Sequence, residues 1–296
     1  MAGRILVFAR EGDRPILGGG SRDTRCSRMA EASRHDAWQA GEHYEAYMGR
    51  WSRMLAPRFL DWLAAPQGLD WLDVGCGTGA LSAAILARSA PASLVSIDPS
   101  DGFIAAARAK AADARAEFRV GDAQALPLAA GSRDIAVSAL MLNFVPDRVK
   151  ALAEMKRVVR KGGTIAFYVW DYPGGGLEFV RAFWTAATAL DPGARDLSED
   201  ARFPYCTPDG LAGLVRSAGL TPVGGAAIEV DTAFRNFDDY WHPFTLGGGP
   251  APGYCASLAP EARQRLMDRL RDSLPRGADG SIPLKARAWA LRAVSA

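Results

Sequence analysis

The chain has few of the residues that build disulfide frameworks and metal centres. Its four cysteines, Cys26, Cys76, Cys206 and Cys255, lie far apart and form no CxxC pair, and it has only three histidines. The cysteine pattern argues against a disulfide scaffold or a zinc site and favours a reducing, cytoplasmic compartment. We therefore expect no bound metal.

Strong charge and long apolar runs are also lacking. The chain has 35 basic and 33 acidic residues among 296, a net charge of +2. A net charge this close to zero gives no electrostatic reason to expect nucleic acid or an anionic membrane as a partner. No apolar stretch reaches the length that spans a bilayer. We expect a small-molecule substrate, and the sequence does not determine the oligomeric state.

The N-terminal segment differs from the rest of the chain. Residues 1–34 are rich in Arg, Gly and Ser and show no helical period. This composition predicts a disordered tail, or an extension upstream of a start at Met29. Residues 35–296 are predicted to form a single domain.

From residue 70 the chain alternates short apolar runs with helical patterns. We predict a doubly wound, Rossmann-like α/β fold, because strict alternation is typical of a mostly parallel sheet with helices on both faces. The predicted strands are 69–75, 93–98, 116–122, 134–142, 164–172, 221–232 and 281–294, and the predicted helices include 80–90, 101–114, 147–163, 176–190 and 207–219. Residues 233–281 interrupt the sheet before the last strand as a helical insertion.

The stretch DVGCGTG, residues 73–79, follows the first predicted strand. Its glycines, Gly75, Gly77 and Gly79, fit the dinucleotide fingerprint and suggest NAD as a first candidate. Asp98 ends the second strand, where a carboxylate binds ribose hydroxyls, and ribose is common to NAD and S-adenosylmethionine (SAM). Asp73, however, is a poor neighbour for a pyrophosphate and a good one for a cation. It therefore favours SAM, which carries an ammonium and a sulfonium.

Two further features favour SAM. Gly121-Asp122-Ala123 ends the third strand, where a carboxylate can accept from the adenine amine, and the run GDAQALPLAAGSRDIAVSALMLNFVPD continues to Asp147. With the glycine turn, Asp98 and the turn Lys161-Gly162-Gly163, the sequence resembles the class I SAM-dependent methyltransferases, especially the group that includes ubiquinone and menaquinone methyltransferases. The resemblance is good over residues 40–172 and looser beyond. Five elements in the family's order are a much stronger signal than one glycine motif.

The resemblance implies a cofactor site and a topology. It implies a seven-stranded sheet whose last strand is antiparallel. It places the methionine part of SAM at the glycine turn, the ribose at Asp98 and the adenine at Asp122 and Ala123, with Leu140 facing the cofactor. It also places residues 44–55 over the cofactor; the alternative for this segment is a packing helix with an aromatic face. The cofactor-binding residues predicted in this way are Asp73, Gly75, Cys76, Gly77, Gly79, Asp98, Pro99, Asp122, Ala123, Leu140, Tyr47 and Trp51, and Arg50 is a further candidate to close over SAM.

The sequence contains no compelling catalytic base. After the fourth strand stands Leu142-Asn143-Phe144-Val145 instead of an N/D-P-P-Y motif or a Pro-Cys nucleophile. Methyl transfer from a sulfonium is a direct displacement, so alignment and exclusion of water can suffice. His242, beside aromatic residues in DDYWHPF, is the candidate general base for a phenolic hydroxyl; its alternative is a structural role.

The connections on the ligand side of the sheet are rich in aromatic residues. We expect the insertion 233–281 to lie above the active site as a lid, and expect these aromatics to enclose an apolar or aromatic substrate. They are Trp170, Tyr172, Phe179, Phe183, Trp184, Phe203, Phe234, Phe237, Tyr240, Trp241, Phe244 and Tyr254. The alternatives are a core belonging to the insertion itself, a protein or RNA methyltransferase with a broad charged groove, a SAM-binding protein without catalysis, and an NAD dehydrogenase.

Overall fold

The computed structural model describes residues 45–295. The predicted tail, residues 1–34, and the possible start at Met29 lie outside these residues. Seven strands form one sheet: β1 Asp70–Val74, β2 Ser93–Asp98, β3 Ala116–Val120, β4 Arg133–Ala139, β5 Val159–Trp170, β6 Thr221–Asp231 and β7 Lys285–Val294. No helix in this part of the chain is both long and apolar enough to cross a membrane.

The strand order is β3-β2-β1-β4-β5-β7-β6. β1 pairs in parallel with β2 and β4, and the parallel pairing continues to β3 and β5. β7 is antiparallel to both β5 and β6. The predicted seven-stranded, mostly parallel sheet with an antiparallel last strand is confirmed. The chain order reverses at β1, between β2 and β4, so a crevice opens beyond the carboxyl ends of these strands.

Helices connect and cover the strands. They are α1 Arg50–Leu63, α2 Ala80–Arg88, α3 Asp101–Lys110, α4 Arg148–Val158, α5 Glu178–Leu190, α6 Glu199–Arg202, α7 Pro208–Ser217, α8 Phe237–Trp241, α9 Pro250–Ser257 and α10 Pro260–Ser273, with a π-helical turn Glu45–Gly49 before α1. α1 packs on α2, and α4 packs on α7. The predicted start of α7 is confirmed, since Thr207 accepts from Gly210 N and Pro208 is the first helical residue.

The predicted helix end at Lys161-Gly162-Gly163 is wrong. α4 ends at Val158, and β5 begins at Val159. The glycine pair lies inside β5, where its register against β4 shifts between Arg133 and Ile135. Gly162 N donates to Ser295 O at 2.7 Å, and a Cβ on Gly163 would stand 2.6 Å from Asp134 O. The glycines therefore allow a close contact between strands. In the sequence, such a glycine pair after a helix resembles a helix end.

Two segments cover the carboxyl ends of β4 and β5. The first runs from Asp171 to Arg202 and contains α5 and α6; the second joins β6 to β7 and contains α8, α9 and α10. α5 contacts both α9 and α10. Aromatic rings of these segments contact rings of the π-helical turn Glu45–Gly49 and of α1. This set, here called the aromatic cluster, is Tyr47, Trp51, Phe179, Phe183, Phe234, Tyr240 and Phe244.

Candidate functional site

The glycine turn closes over the end of β2. Gly75 N and Cys76 N both donate to Ile97 O, at 2.7 and 3.1 Å. Gly75 has φ +71, and a Cβ built there would lie 2.1 Å from the Met141 side chain. Only glycine meets both demands, because other residues are strained at this φ and the side chain has no room. The turn therefore brings its backbone close to the segment that follows β4.

Asp98 fixes this turn from the end of β2. Its carboxylate accepts from Gly77 N at 3.0 Å and from Ser100 N at 2.9 Å. The side chain is buried, and burial raises its pKa. Ser100 then caps α3 by accepting from Phe103 N. The two backbone donors hold the carboxylate at the mouth of the crevice, in a position to accept further hydrogen bonds.

Asp73 lies in β1 beneath the turn. It is completely buried, and its Oδ2 accepts from Ser82 Oγ at 2.6 Å, which in turn contacts Ser96 Oγ at 2.9 Å. Oδ1 has no hydrogen-bond partner among residues 45–295. Burial raises the Asp73 pKa to about 7. An unpartnered buried carboxylate oxygen is costly, and a cationic or hydrogen-bond-donating ligand group would offset that cost.

The third side of the crevice is built after β3. Asp122 accepts from Gln124 N at 2.8 Å and from the Gln124 side chain, while Gln124 Oε1 accepts from Asp147 N. Gln124 thus connects this turn to Asp147, the residue that caps α4. Ala123 is buried beside it. The arrangement leaves an exposed carboxylate next to a small apolar residue, which suits the amine edge of a flat heterocycle.

A strained residue follows β4. Leu140 has φ +59, in the left-handed region that branched and bulky residues avoid. Its N donates to Tyr168 O in β5 at 2.9 Å, so the neighbouring strand holds the conformation. This turn directs Leu140, Met141 and Phe144 into the crevice.

These elements enclose a pocket of about 290 Å³, here called the cofactor pocket. Seven of the residues predicted from the sequence line it: Gly75, Gly77, Asp98, Pro99, Asp122, Ala123 and Leu140. Asp73, Cys76 and Gly79, which the sequence also predicted as cofactor-binding residues, do not line it. The Cys76 side chain packs with Ile104 and Phe118, and Gly79, at φ +86, is the N-cap of α2. The acceptor oxygens at both ends and the close backbone approach at Gly75 fit an adenosine bearing an amino-acid tail.

Tyr47, Trp51 and His242 lie elsewhere. Tyr47 and Trp51 are buried in the aromatic cluster, with ring centroids 5.7 and 6.2 Å from Phe179. Neither lines the cofactor pocket. His242 is exposed, because the next two residues, Pro243 and Phe244, are buried on the other side of its turn. The structure does not bring these three side chains to the cofactor pocket.

Sequence reasoning missed several residues that line this pocket: Ser100, Phe103, Gln124, Ala139, Met141, Phe144, Val145 and Pro146. Two signals were available. Phe103 stands in the first turn of the helix that follows Asp98. The stretch from Met141 to Pro146 follows the strand next to β1 and contains a short 3₁₀ turn, Leu142–Phe144.

A second cavity, of about 510 Å³, lies beyond the carboxyl end of β5 and is here called the acceptor cavity. The residues that line it include Tyr172, Leu177, Trp184, Thr185, Arg195 and Glu199. Of the twelve aromatics noted in the sequence, only Tyr172 and Trp184 line this cavity. Phe179, Phe183, Phe234, Tyr240 and Phe244 pack against one another in the aromatic cluster.

Within residues 45–295, no group of three or more His, Cys, Asp or Glu side chains could hold a metal ion.

Sequence comparison connects the chain to known enzymes. Residues 72–167 match the family model described as a methyltransferase domain. A ubiquinone/menaquinone biosynthesis C-methyltransferase of Dinoroseobacter shibae is 30% identical over 187 residues, 58% of this chain and 74% of that enzyme. An uncharacterised Mycobacterium tuberculosis protein is also 30% identical, over 51% of this chain and 56% of its own length.

Solved structures share the fold at low sequence identity. A Bacillus halodurans protein assigned as a methyltransferase superposes with a TM-score of 0.56 at 15% identity, covering 81% of this chain and 98% of that one. The [4+2]-cyclase SpnF gives a TM-score of 0.53 at 17% identity, covering 82% and 80% of the two chains. These likenesses concern the fold alone.

Proposed function

The chain belongs to the class I SAM-dependent methyltransferases, and on that premise we propose that it methylates a small molecule with an apolar or aromatic body. SAM is its cofactor. The observation that carries the small-molecule acceptor is the acceptor cavity, about 510 Å³ at the carboxyl end of β5, since pockets of this size bury molecules of cofactor or metabolite size.

We propose a role for each side of the cofactor pocket. Gly75 and Gly77 hold the methionine part, with the buried Asp73 carboxylate behind them as the balancing charge. Asp98 binds the ribose hydroxyls, Asp122 and Ala123 the adenine, and Leu140 covers the cofactor. Tyr47 and Trp51 are outside the pocket wall, so we assign them to supporting the cover of the site and not to direct contact.

SAM supplies an activated methyl group, so the work of the protein is positioning and exclusion of water. We propose that the segments containing α5, α8 and α9, which contact one another through the aromatic cluster, limit the access of solvent to the acceptor. His242 is exposed and does not line the cofactor pocket, so we assign it no role in catalysis. A reducing compartment such as the cytoplasm agrees with the buried thiols of Cys76, Cys206 and Cys255.

The cofactor assignment is tested by calorimetric titration with S-adenosylhomocysteine, with NAD in parallel. Wild type should bind S-adenosylhomocysteine, and Asp98→Ala should weaken binding by about 10- to 100-fold, because charged hydrogen-bond partners contribute about 1.5–3 kcal/mol. Asp101→Ala is the matched control, since Asp101 is an exposed carboxylate three residues along that does not line the pocket.

The acceptor class is tested with extracts fractionated by size, with radiolabelled SAM as methyl donor. Label in small apolar products supports the proposal. Label confined to protein or RNA would replace it with a macromolecular methyltransferase, and binding of SAM without any labelled product would favour a non-catalytic SAM-binding protein. Binding of NAD instead of S-adenosylhomocysteine would refute the cofactor assignment.

A further inference from the structure

The two carboxylates that line the cofactor pocket are held in different ways. Asp98 is buried and accepts from two main-chain N–H groups, Gly77 N at 3.0 Å and Ser100 N at 2.9 Å. Asp122 is exposed, and within residues 45–295 one main-chain N–H reaches it, that of Gln124 at 2.8 Å from Oδ1. An exposed carboxylate with one main-chain donor can turn toward water. Its direction in the pocket therefore depends on a further partner.

The Gln124 side chain is that partner. Its Nε2 lies 3.2 and 3.3 Å from the two Asp122 carboxylate oxygens, and its Oε1 accepts from Asp147 N at 3.1 Å. Chemistry sets the orientation of the amide, because a main-chain N–H only donates and an ionised carboxylate only accepts. The amide oxygen must face Asp147 and the amide NH₂ must face Asp122. Both carboxylate oxygens are therefore held by a group that is itself held.

The far anchor of Gln124 belongs to α4. Asp147 is the N-cap of this helix, and its main-chain N–H donates to Gln124. Further along the turn that follows β3, Arg157 of α4 donates to Leu126 O at 2.9 Å. The turn is thus attached to α4 at both places. Of these two attachments, the one through Gln124 contacts the Asp122 carboxylate.

The bond from Gln124 to Asp147 also joins two sides of the cofactor pocket. Gln124 lines the pocket on the side of the turn after β3. Phe144, Val145 and Pro146, which directly precede Asp147, line it on the side of the segment after β4. The hydrogen bond therefore connects the two segments between which we place the adenine.

We propose that Gln124 is a positioning residue that directs the Asp122 carboxylate toward the six-position of the base, so that the pocket selects a 6-amino purine over a 6-oxo purine. This inference rests on the proposed function, which places the adenine at Asp122 and Ala123. A carboxylate held in place accepts a hydrogen bond from an amino group and repels a carbonyl oxygen, whereas a carboxylate free to turn toward water does neither.

The test compares S-adenosylhomocysteine with S-inosylhomocysteine, which carries a 6-oxo group in place of the 6-amino group, by calorimetric titration. Wild type should bind the adenosyl compound at least ~10-fold more tightly. Gln124→Glu keeps an acceptor for Asp147 N and loses the donor to Asp122, and Gln124→Met loses both bonds without adding charge. In each variant the preference should fall below ~3-fold, while affinity for the inosyl compound weakens by less than ~3-fold.

Gln264→Glu is the matched control. The Gln264 amide also donates to an aspartate, Asp268 Oδ1 at 2.9 Å, but it lies on α10 and does not line the cofactor pocket. The same chemical change there should keep the wild-type preference. Asp122→Asn tests the proposed adenine site by itself, and its preference should fall below ~3-fold because the new amide NH₂ can donate to a 6-oxo group.

Equal binding of the two compounds to wild type, an unchanged preference in either Gln124 variant, or equal weakening of both compounds in these variants would overturn the inference. If the preference is lost in Asp122→Asn but kept in the Gln124 variants, the inference fails and the proposed function stands. An unchanged preference in Asp122→Asn would refute the proposed adenine site, and a wild type that binds neither compound would refute the cofactor assignment. Either result would overturn the inference as well.

Discussion

Arg50 and Asp239 are 189 residues apart in the chain and form an ion pair. Arg50 Nη1 lies 3.1 and 3.3 Å from the two Asp239 carboxylate oxygens, and Nη2 donates to Asp239 O at 3.4 Å. The guanidinium lies 4.2 Å from the centre of the Trp51 ring and 4.4 Å from that of Phe234. The pair thus ties the helix before β1 to the insertion before β7, over the aromatic cluster.

Breaking this pair should loosen the cover of the site. In a double-mutant cycle of Arg50→Met and Asp239→Asn, we expect a coupling free energy of about 1–2 kcal/mol in chemical unfolding, reduced from a fully buried value by partial solvent screening. The control pair is Arg88 and Asp61, whose side chains are 46% and 62% exposed. Its coupling should be below about 0.5 kcal/mol. Equal couplings for the two pairs would contradict the prediction.

A methyl group at Gly75 should disturb the cofactor pocket itself. Gly75→Ala places a Cβ against the Met141 side chain, which lines the pocket, and strains the positive φ. We expect affinity for S-adenosylhomocysteine to fall by more than ~10-fold. Gly68→Ala is matched, since Gly68 has φ +75 and no atom of the described chain lies within 4 Å of its Cβ position. It should cost about 1–2 kcal/mol of stability and leave affinity unchanged.

Asp73 should make stability depend on pH. Its folded pKa of about 7 lies above the ordinary 3.8. Between these values the folded state binds more protons than the unfolded state, so the free energy of unfolding falls as pH rises through this window and levels above it. The upper bound is about 4 kcal/mol, from about 1.4 kcal/mol per unit. In Asp73→Asn this decrease should disappear, as measured by chemical unfolding from about pH 5 to pH 8.

Asp70 provides the opposite sign. Hydrogen bonds from Ser93 and Arg160 lower its pKa. Its contribution is therefore present above the ordinary carboxyl pKa and is lost only in acid, so Asp70→Asn should leave the decrease between about pH 5 and pH 8 in place. If the decrease in the free energy of unfolding were lost in Asp70→Asn, it would not come from Asp73, and the prediction would be contradicted.

The buried thiols should react slowly in the folded protein. Burial raises the pKa of Cys206 to about 12 and that of Cys255 to about 11, and it also raises the pKa of Cys76. Since the thiolate is the reactive form, a Cys26→Ser protein at about pH 8 should react with a thiol-specific reagent only on denaturation. Rapid reaction in the folded state would show that one of the three is accessible.

Much of the fold could be predicted because its signals are local. The alternation of apolar strands and amphipathic helices, the Thr207-Pro208 cap and the glycine turn each depend on a few neighbouring residues. The same locality explains the error at Gly162-Gly163. Two glycines after a helix resemble a helix stop, whereas their function is a close contact with Ser295 and Asp134, which are distant in sequence.

The sequence by itself determined the class of sheet, the position of the crevice and two of its polar side chains, Asp98 and Asp122, because backbone turns and strand ends are set by short-range chemistry. Only the tertiary structure decided which aromatics pack in the aromatic cluster and which line a cavity, why His242 is exposed, and that Gln124 contacts Asp147. Those outcomes depend on side-chain packing between segments far apart in the chain, and close packing leaves no trace in local periodicity.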